Sequence, residues 1–268
     1  MLHVYYRFCP SDRPEVRPVW FSKKLCLASF VLSLNNYLAN GGEEKPDLWL
    51  GIDKFELLMA DDKKMIEELS SKFDIKVENL TTNSNTKAYS YMVKKACEAR
   101  DDDEILFVED DYLWLPEAIF EMVETMRNIS DVDYLTPYDH PVRYDDTFCG
   151  GVDLPHWGNK IFQFGNRHYR SQESTCMTYM TLGKVLKEDL SLHLEYSPED
   201  KKCPNDRELF RRLQQLGGYN DLKQRRLLVG PMPSLATHLH VPYLAPVIDW
   251  EAKAEDVNTQ YQKIISNL

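Results

Sequence analysis

A chain of 268 residues with 43% hydrophobic and 12% aromatic content carries enough apolar surface for a sizeable core, which excludes extensive disorder and fits one large α/β domain or two small ones. Its formal net charge of -11 argues against non-specific binding to nucleic acid or anionic membrane, because both need clustered Lys and Arg, although it leaves room for a local basic groove. Six cysteines without a CxxC pair or a metal-ligand spacing read as buried free thiols in a reducing compartment, and "MLHVYYRFCP" has neither the basic start nor the apolar run of a secretory signal. The expectation is a soluble, cytoplasmic protein without a transmembrane segment.

Leu2 to Arg7 alternates and is rich in aromatic and β-branched residues, which predicts a strand, and the proline-broken "CPSDRPEVRP" predicts a loop. A helix is expected from Trp20 to Leu38. "DLWLGID", Asp47 to Asp53, reads as a strand closing on an acid, and "KKMIEELSSKF" carries Met65, Ile66, Leu69 and Phe73 at helical spacing. A short strand "IKVENL" precedes a helix in "NTKAYSYMVKKACEA", where Ala88, Met92, Ala96 and Ala99 share one face. The acidic turn "DDDE" leads to Ile105 to Val108, an apolar run short enough for a buried parallel strand. Pro116 suits a first helical turn, and Ile119, Val123 and Met126 form the inner stripe of the helix after it.

Strand and helix thus alternate over roughly the first 130 residues, predicting a doubly wound, mostly parallel sheet that binds ligands beyond its carboxyl ends. Three predicted strand ends carry polar groups there: Tyr6 with Arg7, Asp53, and the run Glu109, Asp110 and Asp111. The second half is less regular. It offers "DVDYLTPYDHPVRYD", a Gly150-Gly151 turn, a predicted strand "STCMTYM", a helix in "PNDRELFRRLQQLGG", a Pro- and aromatic-rich tail from Leu227 that wraps or lids something, and a last amphipathic helix near Trp250. With no repeat or linker, the whole of 1–268 is expected to form one domain, a nucleotide half to about residue 130 and an acceptor half after it.

The acid triplet has two readings. It can be a solvated strand end that favours the following helix dipole, or a carboxylate site for a hard divalent cation that neutralises a diphosphate. Trp114, Leu115 and Pro116 rule out a calcium loop, and neither GxxxxGK[ST] nor GxGxxG occurs.

"ILFVEDDYLWLPEAI" resembles the DxD motif of GT-A-fold glycosyltransferases in a Glu-Asp-Asp form, and "NSNTKAYSYMVKKACEARDDDEILFVEDD" is similar to the arrangement in glycosyltransferase family 2. "DYLTPYDHPVRYD", "STCMTYM", "PNDRELFRRL" and "PSLATHLHVPYLAPVIDWE" resemble later blocks of such enzymes in the same order, so the likeness extends over most of the chain.

The resemblance implies an α/β fold with a Rossmann-like sheet and an inverting, metal-dependent transfer from a nucleoside diphosphate sugar, UDP-sugar being the expected form, to a glycan or glycoconjugate hydroxyl. It implies Mn2+ or Mg2+ on Asp111, with His238 as second ligand and His240 as its rival. Asp110 and Glu109 would orient sugar, ribose or metal-bound water, and Glu109 departs from the usual Asp by one methylene. Asp53, Asn83 and Asn85 fall where such enzymes touch the nucleoside, and Tyr6 and Arg7 where base and diphosphate lie, with Arg13 and Arg17 as possible helpers. Asp206 matches the general base, with Glu208 in reserve, although an Asp ahead of Leu209, Phe210 and Leu213 is also a natural helix cap. Asp139 and His140 would face the acceptor or merely form a proline turn, and Trp114 and Trp157 would stack on sugar or pack in the core. The rival classes are a sugar-nucleotide pyrophosphorylase, which lacks support because the loop after the first strand has no glycine, and a carbohydrate- or nucleotide-binding module without catalysis. The oligomeric state is left open.

Overall fold

The computed structural model describes residues 1–41, 45–144 and 160–266. The first half winds as β1 (Leu2–Phe8), α1 (Lys23–Ala39), β2 (Asp47–Asp53), α2 (Ala60–Phe73), β3 (Lys76–Leu80), α3 (Asn85–Ala96), β4 (Glu104–Glu109), β5 (Tyr112–Trp114) and α4 (Ala118–Asn128). The second adds β6 (Tyr134–Leu135), β7 (Ile161–Phe164), β8 (Arg167–Ser171), β9 (Tyr179–Leu182), α5 (Gly183–Glu195), α6 (Asp206–Leu213), β10 (Leu228–Met232), β11 (Ala236–His238) and α7 (Trp250–Ser266).

One nine-stranded sheet runs in the order β3-β2-β1-β4-β9-β6-β10-β8-β7, and β11 with β5 forms a separate ribbon. The strands β3, β2, β1 and β4 are mutually parallel, β9 is antiparallel to both β4 and β6, and β10 runs parallel to β6. The carboxyl ends of β1, β2, β4 and β6 therefore share one edge. This is the Rossmann-like α/β architecture that the resemblance implies.

Alternation along the strands sorts the core into two layers. Leu2, Val4, Tyr6 and Phe8 of β1, with Leu106 and Val108 of β4, pack with residues of α1, α2, α4 and α7. Tyr5 and the β4 residues Ile105 and Phe107 face the other way, with α3, α5 and α6. Burying each large apolar side chain contributes about 1.5–3 kcal/mol, so a one-residue slip in β4 would be opposed on both faces.

Most departures from expectation have local causes. The first helix begins at Lys23 and not Trp20 because the Ser22 hydroxyl accepts from Leu25 N at 3.0 Å. β4 extends through Glu109, so the first acid of the triplet is a strand residue. "STCMTYM" is strand only from Tyr179; Cys176 and Met177 take left-handed φ values of 45° and 64° in a turn whose amides the Asp206 carboxylate binds. The helix after Pro116 starts at Ala118. Leu228–Met232 is no wrapping tail but an interior strand. The Gly150-Gly151 turn and Trp157 lie outside the described residues. The five described cysteines are free, and no helix among the described residues is long and apolar enough to cross a membrane.

On the α5 side of the sheet, fully buried His193 lies 2.6 Å from the Tyr89 hydroxyl and 3.1 Å from that of Tyr134. Burial pushes its pKa from 6.5 down to about 3. Because the folded pKa is depressed, this group's contribution is whole above pH 6.5 and is lost as pH falls towards 3, at up to about 1.4 kcal/mol per pH unit. Urea denaturation at pH 7, 6, 5 and 4 should show that decline, and His193→Gln should flatten it by close to one proton whatever its effect at pH 7.

Candidate active site

The register that pairs β1 with β4 sets Arg7 opposite Glu109. Both point to the α3 side, since Tyr5 and Phe107, two residues earlier on each strand, do so. Arg7 Nε lies 3.1 and 3.0 Å from the two Glu109 oxygens, and a second guanidinium nitrogen also bonds Oε2. Arg7 Nη1 donates to Asn85 Oδ1 at 3.0 Å and lies 3.9 Å from Asp53 Oδ2. Burial opposes the Arg7 charge, but Glu109, with Asp110 and Asp53, outweighs it and holds the pKa above the ordinary arginine value.

Asp110 turns to the opposite side. Its carboxylate accepts from Lys23 Nζ at 2.5 Å and from Cys9 N at 2.6 Å. Lys23 opens α1 directly after the Ser22 cap, and Asp110, followed by Asp111, keeps its ammonium charged despite burial. Asp111 is the meeting point of the chain's two ends. Its Oδ2 accepts from Arg17 Nη2 at 2.9 Å and lies 3.1 Å from His238 Nε2. The β5–β11 ribbon brings this about by pairing His238 with Tyr112, whose ring stacks on the imidazole at 5.4 Å, while Leu239 N donates to Asp111 O at 2.8 Å. Burial acts to raise the Asp111 pKa, yet His238, then Lys23 and Arg17, hold it well below the usual carboxylate range.

Beside this ion-pair row opens a cleft of about 290 Å³ lined by Cys9, Ser11, Asp53, Lys54, Asn83, Asn85 and the 200–202 segment. Asp53 ends β2, where its Oδ1 accepts from Thr82 Oγ1 at 2.8 Å. Asn83, with a left-handed φ of 49°, turns the chain into α3, which Ser84 caps. Three residues singled out from sequence for the nucleoside, Asp53, Asn83 and Asn85, thus line one wall.

Asp206 sits elsewhere on the same edge. Helix α6 is capped by Asn205, while Asp206 Oδ2 accepts from the Ser174 hydroxyl, Cys176 N at 2.9 Å and Thr175 N at 3.2 Å. Among the described residues its Oδ1 has no hydrogen-bond partner. The turn so held touches the acid row through Tyr112, whose hydroxyl donates to Thr175 O at 3.2 Å. Glu208 instead takes Arg211 Nη1 at 3.1 Å and the Tyr219 hydroxyl at 3.1 Å. Tyr6 is only 3% exposed, packs edge-on against Phe30, and its buried hydroxyl has no partner among the described residues, so it underlies the site instead of lining it. Trp114 is core. Arg13 is exposed, and His240 lies 5.6 Å from His238, ring to ring.

Sequence reasoning missed Lys23 and gave Arg17 little weight. A Lys-Lys pair opening a helix looks like solvated surface, and nothing in the sequence marks the first lysine as turned inward. Arg17 is held by Asp12, Asp111 and Leu239 O and lies over the Phe21 ring at 4.8 Å.

The donor chemistry of Asp111 and His238 suits a divalent ion. A carboxylate oxygen and an imidazole nitrogen 3.1 Å apart match neighbouring ligands of an octahedral cation with bonds of about 2.1 Å. The described residues contain no group of three or more His, Cys, Asp or Glu that could hold an ion, so phosphate and water would complete the shell, as Mg2+ commonly requires.

No family model and no curated protein matches the sequence. Among solved structures, TarS from S. aureus is similar at 14% identity and a TM-score of 0.45, over 85% of this chain and 34% of TarS. The chain spans 57% of the TarS 1-349 structure. HddC from Yersinia pseudotuberculosis is 12% identical with a TM-score of 0.46, covering 96% of this chain and 99% of HddC. The galactosyltransferase LgtC, in complex with donor and acceptor sugar analogs, is 9% identical with a TM-score of 0.48, covering 98% and 96%. Likeness of this degree concerns chain path, and chemistry has to come from the residues themselves.

Removing Lys23 would strand the buried Asp110 charge. Lys23→Ala is expected to cost about 3 kcal/mol in chemical denaturation, against less than about 0.5 kcal/mol for the exposed Lys24→Ala. Equal effects would show that the Asp110 pair bears no special weight.

Proposed function

We propose that the protein is a metal-dependent glycosyltransferase that moves a sugar, with inversion, from a nucleoside diphosphate sugar, UDP-sugar first among them, to a hydroxyl of a glycan or glycoconjugate. The supporting observation is the convergence at one sheet edge of an Asp111–His238 pair, a row of cations on the acid triplet, and a polar cleft lined by Asp53, Asn83 and Asn85.

In this reading the nucleoside enters the cleft, its ribose and base meeting Asp53, Asn83 and Asn85. Glu109 holds Arg7, whose Nη1 in turn fixes Asn85 at the cleft. Asp111 and His238 would hold Mn2+ or Mg2+, which when bound would supply positive charge to offset that of the diphosphate. Arg17 and Lys23 add fixed positive charge on the same side, and Asp110 holds Lys23 in place.

Asp206 takes the acceptor proton. Its Oδ2 is anchored by three donors, which leaves Oδ1 to act as base. As the acceptor oxygen attacks the anomeric carbon, its O–H proton passes to Asp206, the bond from that carbon to the diphosphate oxygen breaks, and the electron pair leaves with the diphosphate. One-sided attack inverts the anomeric centre. The division of labour follows the sequence only in part: residues to about 130 serve the donor, but His238 joins Asp111 and the 200–202 segment lines the cleft, while Asp206 serves the acceptor.

The same anchoring supports a second reading, in which Asp206 only clamps the 174–176 turn and the protein binds nucleotide without transfer. Incubation with a panel of nucleotide sugars and Mn2+ separates them. Donor consumption is expected, lost on Asp111→Ala, and lowered about 10²–10⁴-fold in transfer by Asp206→Asn with UDP affinity unchanged in calorimetry. UDP binding without consumption of any donor would favour the binding module, and full transfer by Asp111→Ala would sink the cation assignment.

A further inference from the structure

One oxygen at the candidate cation position has two claimants. Asp111 Oδ2 accepts from Arg17 Nη2 at 2.9 Å and faces His238 Nε2 at 3.1 Å, while Oδ1 makes no hydrogen bond among the described residues. A cation bound between Asp111 and His238 takes that same Oδ2, and a doubly charged ion set beside the guanidinium on one oxygen is repelled by it. Arg7 and Lys23 make their ion pairs with Glu109 and Asp110, so Arg17 is the arginine that bonds the oxygen in question.

The remaining contacts of Arg17 hold it in place when that bond is given up. Nε and Nη2 each lie 3.0 Å from Asp12 Oδ1, Nη1 donates to Leu239 O at 2.7 Å, and the guanidinium covers the Phe21 ring at 4.8 Å. The backbone is tied on both sides: Arg17 N donates to Pro14 O at 3.1 Å, closing the turn Pro14–Val16, and Val241 N donates to Val16 O at 2.8 Å. Arg17 thus grips the segment that follows His238 as well as Asp111. With Asp12, Leu239 O and the ring fixing the plane of the group, Nη2 can change the oxygen it bonds without the side chain leaving the site. A phosphate oxygen suits it as well as a carboxylate oxygen does.

We propose that Arg17 couples the cation to the diphosphate by exchanging partners. Without ligand its Nη2 holds Asp111 Oδ2; when a nucleoside diphosphate enters with its cation, Nη2 passes to a phosphate oxygen and Oδ2 is released to the ion. Either ligand alone meets a charge that opposes it, the free cation meeting Arg17 and the free diphosphate meeting Asp111 with Glu109 and Asp110 next to it in the chain. The exchange rests on the cation site and donor of the reading above, and adds that the two bind in concert through one guanidinium.

Two titrations of the whole chain test this: Mn2+ alone, with the free ion counted by electron paramagnetic resonance, and UDP in the presence of Mn2+, by calorimetry. Arg17→Gln should bind Mn2+ alone about tenfold more tightly than wild type and UDP with Mn2+ about tenfold more weakly, whereas loss of a merely structural contact would weaken both. Arg17→Lys keeps the charge and a donor but not the fork, and should shift both titrations in the same senses by about threefold, so it carries the test if Arg17→Gln fails to fold. Lys24→Gln removes an exposed charge beside Lys23 and should move neither, which separates the exchange from a general change of field. Unchanged or weaker Mn2+ binding in the Arg17 variants, or shifts as large in Lys24→Gln, would overturn the proposal. If wild type binds no UDP with Mn2+, the glycosyltransferase reading falls and the exchange with it; if wild type binds both and the Arg17 variants behave like it, the exchange alone falls.

Discussion

Three consecutive carboxylates at the end of a strand buried on both faces cannot stand without compensation. Like charges at neighbouring positions repel, and burial penalises each of them. Strand alternation separates the demand, sending Glu109 to the α3 side and Asp110 to the α1 side, and each acid meets a cation from a different part of the chain: Arg7 from the adjacent strand, Lys23 from the first turn of α1, Arg17 from the loop between them. The parallel register of β1 with β4 is the constraint behind this, because it fixes the end of β1, and with it the start of the loop leading to Arg17 and Lys23, against the end of β4. Buried ion pairs add little net stability over apolar packing, whereas losing one partner is expensive. A row of three such pairs at a single strand end is therefore better explained by the charge it holds in place than by the stability it provides.

The other half of the chain closes the arrangement from the C-terminal side. β11 is only three residues long, yet its pairing with β5 delivers His238 to Asp111, and Tyr112 between them ties the same spot to the turn that Asp206 anchors. Thr237 adds a further hold, accepting from Ala245 N at 2.8 Å, which ties the segment after the ribbon back to it. Residues more than a hundred positions apart thus share one acid, and separating the C-terminal ribbon from the sheet would dismantle this arrangement even with the first half of the chain left whole.

How much of this could be read from sequence divides along physical lines. The β-α alternation of the first half was legible because its strands are apolar runs bounded by turns and its helices carry clear stripes, and the acids at the end of β4 stood out because polar groups seldom follow four buried residues. Asp53 was legible as a strand end of a parallel sheet, whereas Asn83 and Asn85 were legible only through the resemblance, which puts them at the nucleoside. β7, β8 and β10 were not, since "IFQF", "RHYRS" and "LVGPM" are short and mix polar, glycine or proline residues with apolar ones, and their strand character comes from neighbours in the sheet. Lys23 and Arg17 were illegible for a related reason: whether a cation is solvated or buried depends on where its partner acid lies, and that is set by tertiary structure. The strand expected across "STCMTYM" failed at its first half because two backbone amides were taken by Asp206, a contact thirty residues away.

The balance of charge along this edge bears on what can enter it. Arg7, Lys23 and Arg17 are each already matched to an acid, so a bare dianion arriving there must either pull a cation from its partner or lie near carboxylates that repel it. A diphosphate accompanied by a divalent ion brings compensation with it, and the carboxylates that repel the first become ligands or neighbours of the second. In the reading proposed above, the row of paired acids would favour a metal-complexed diphosphate over a free one.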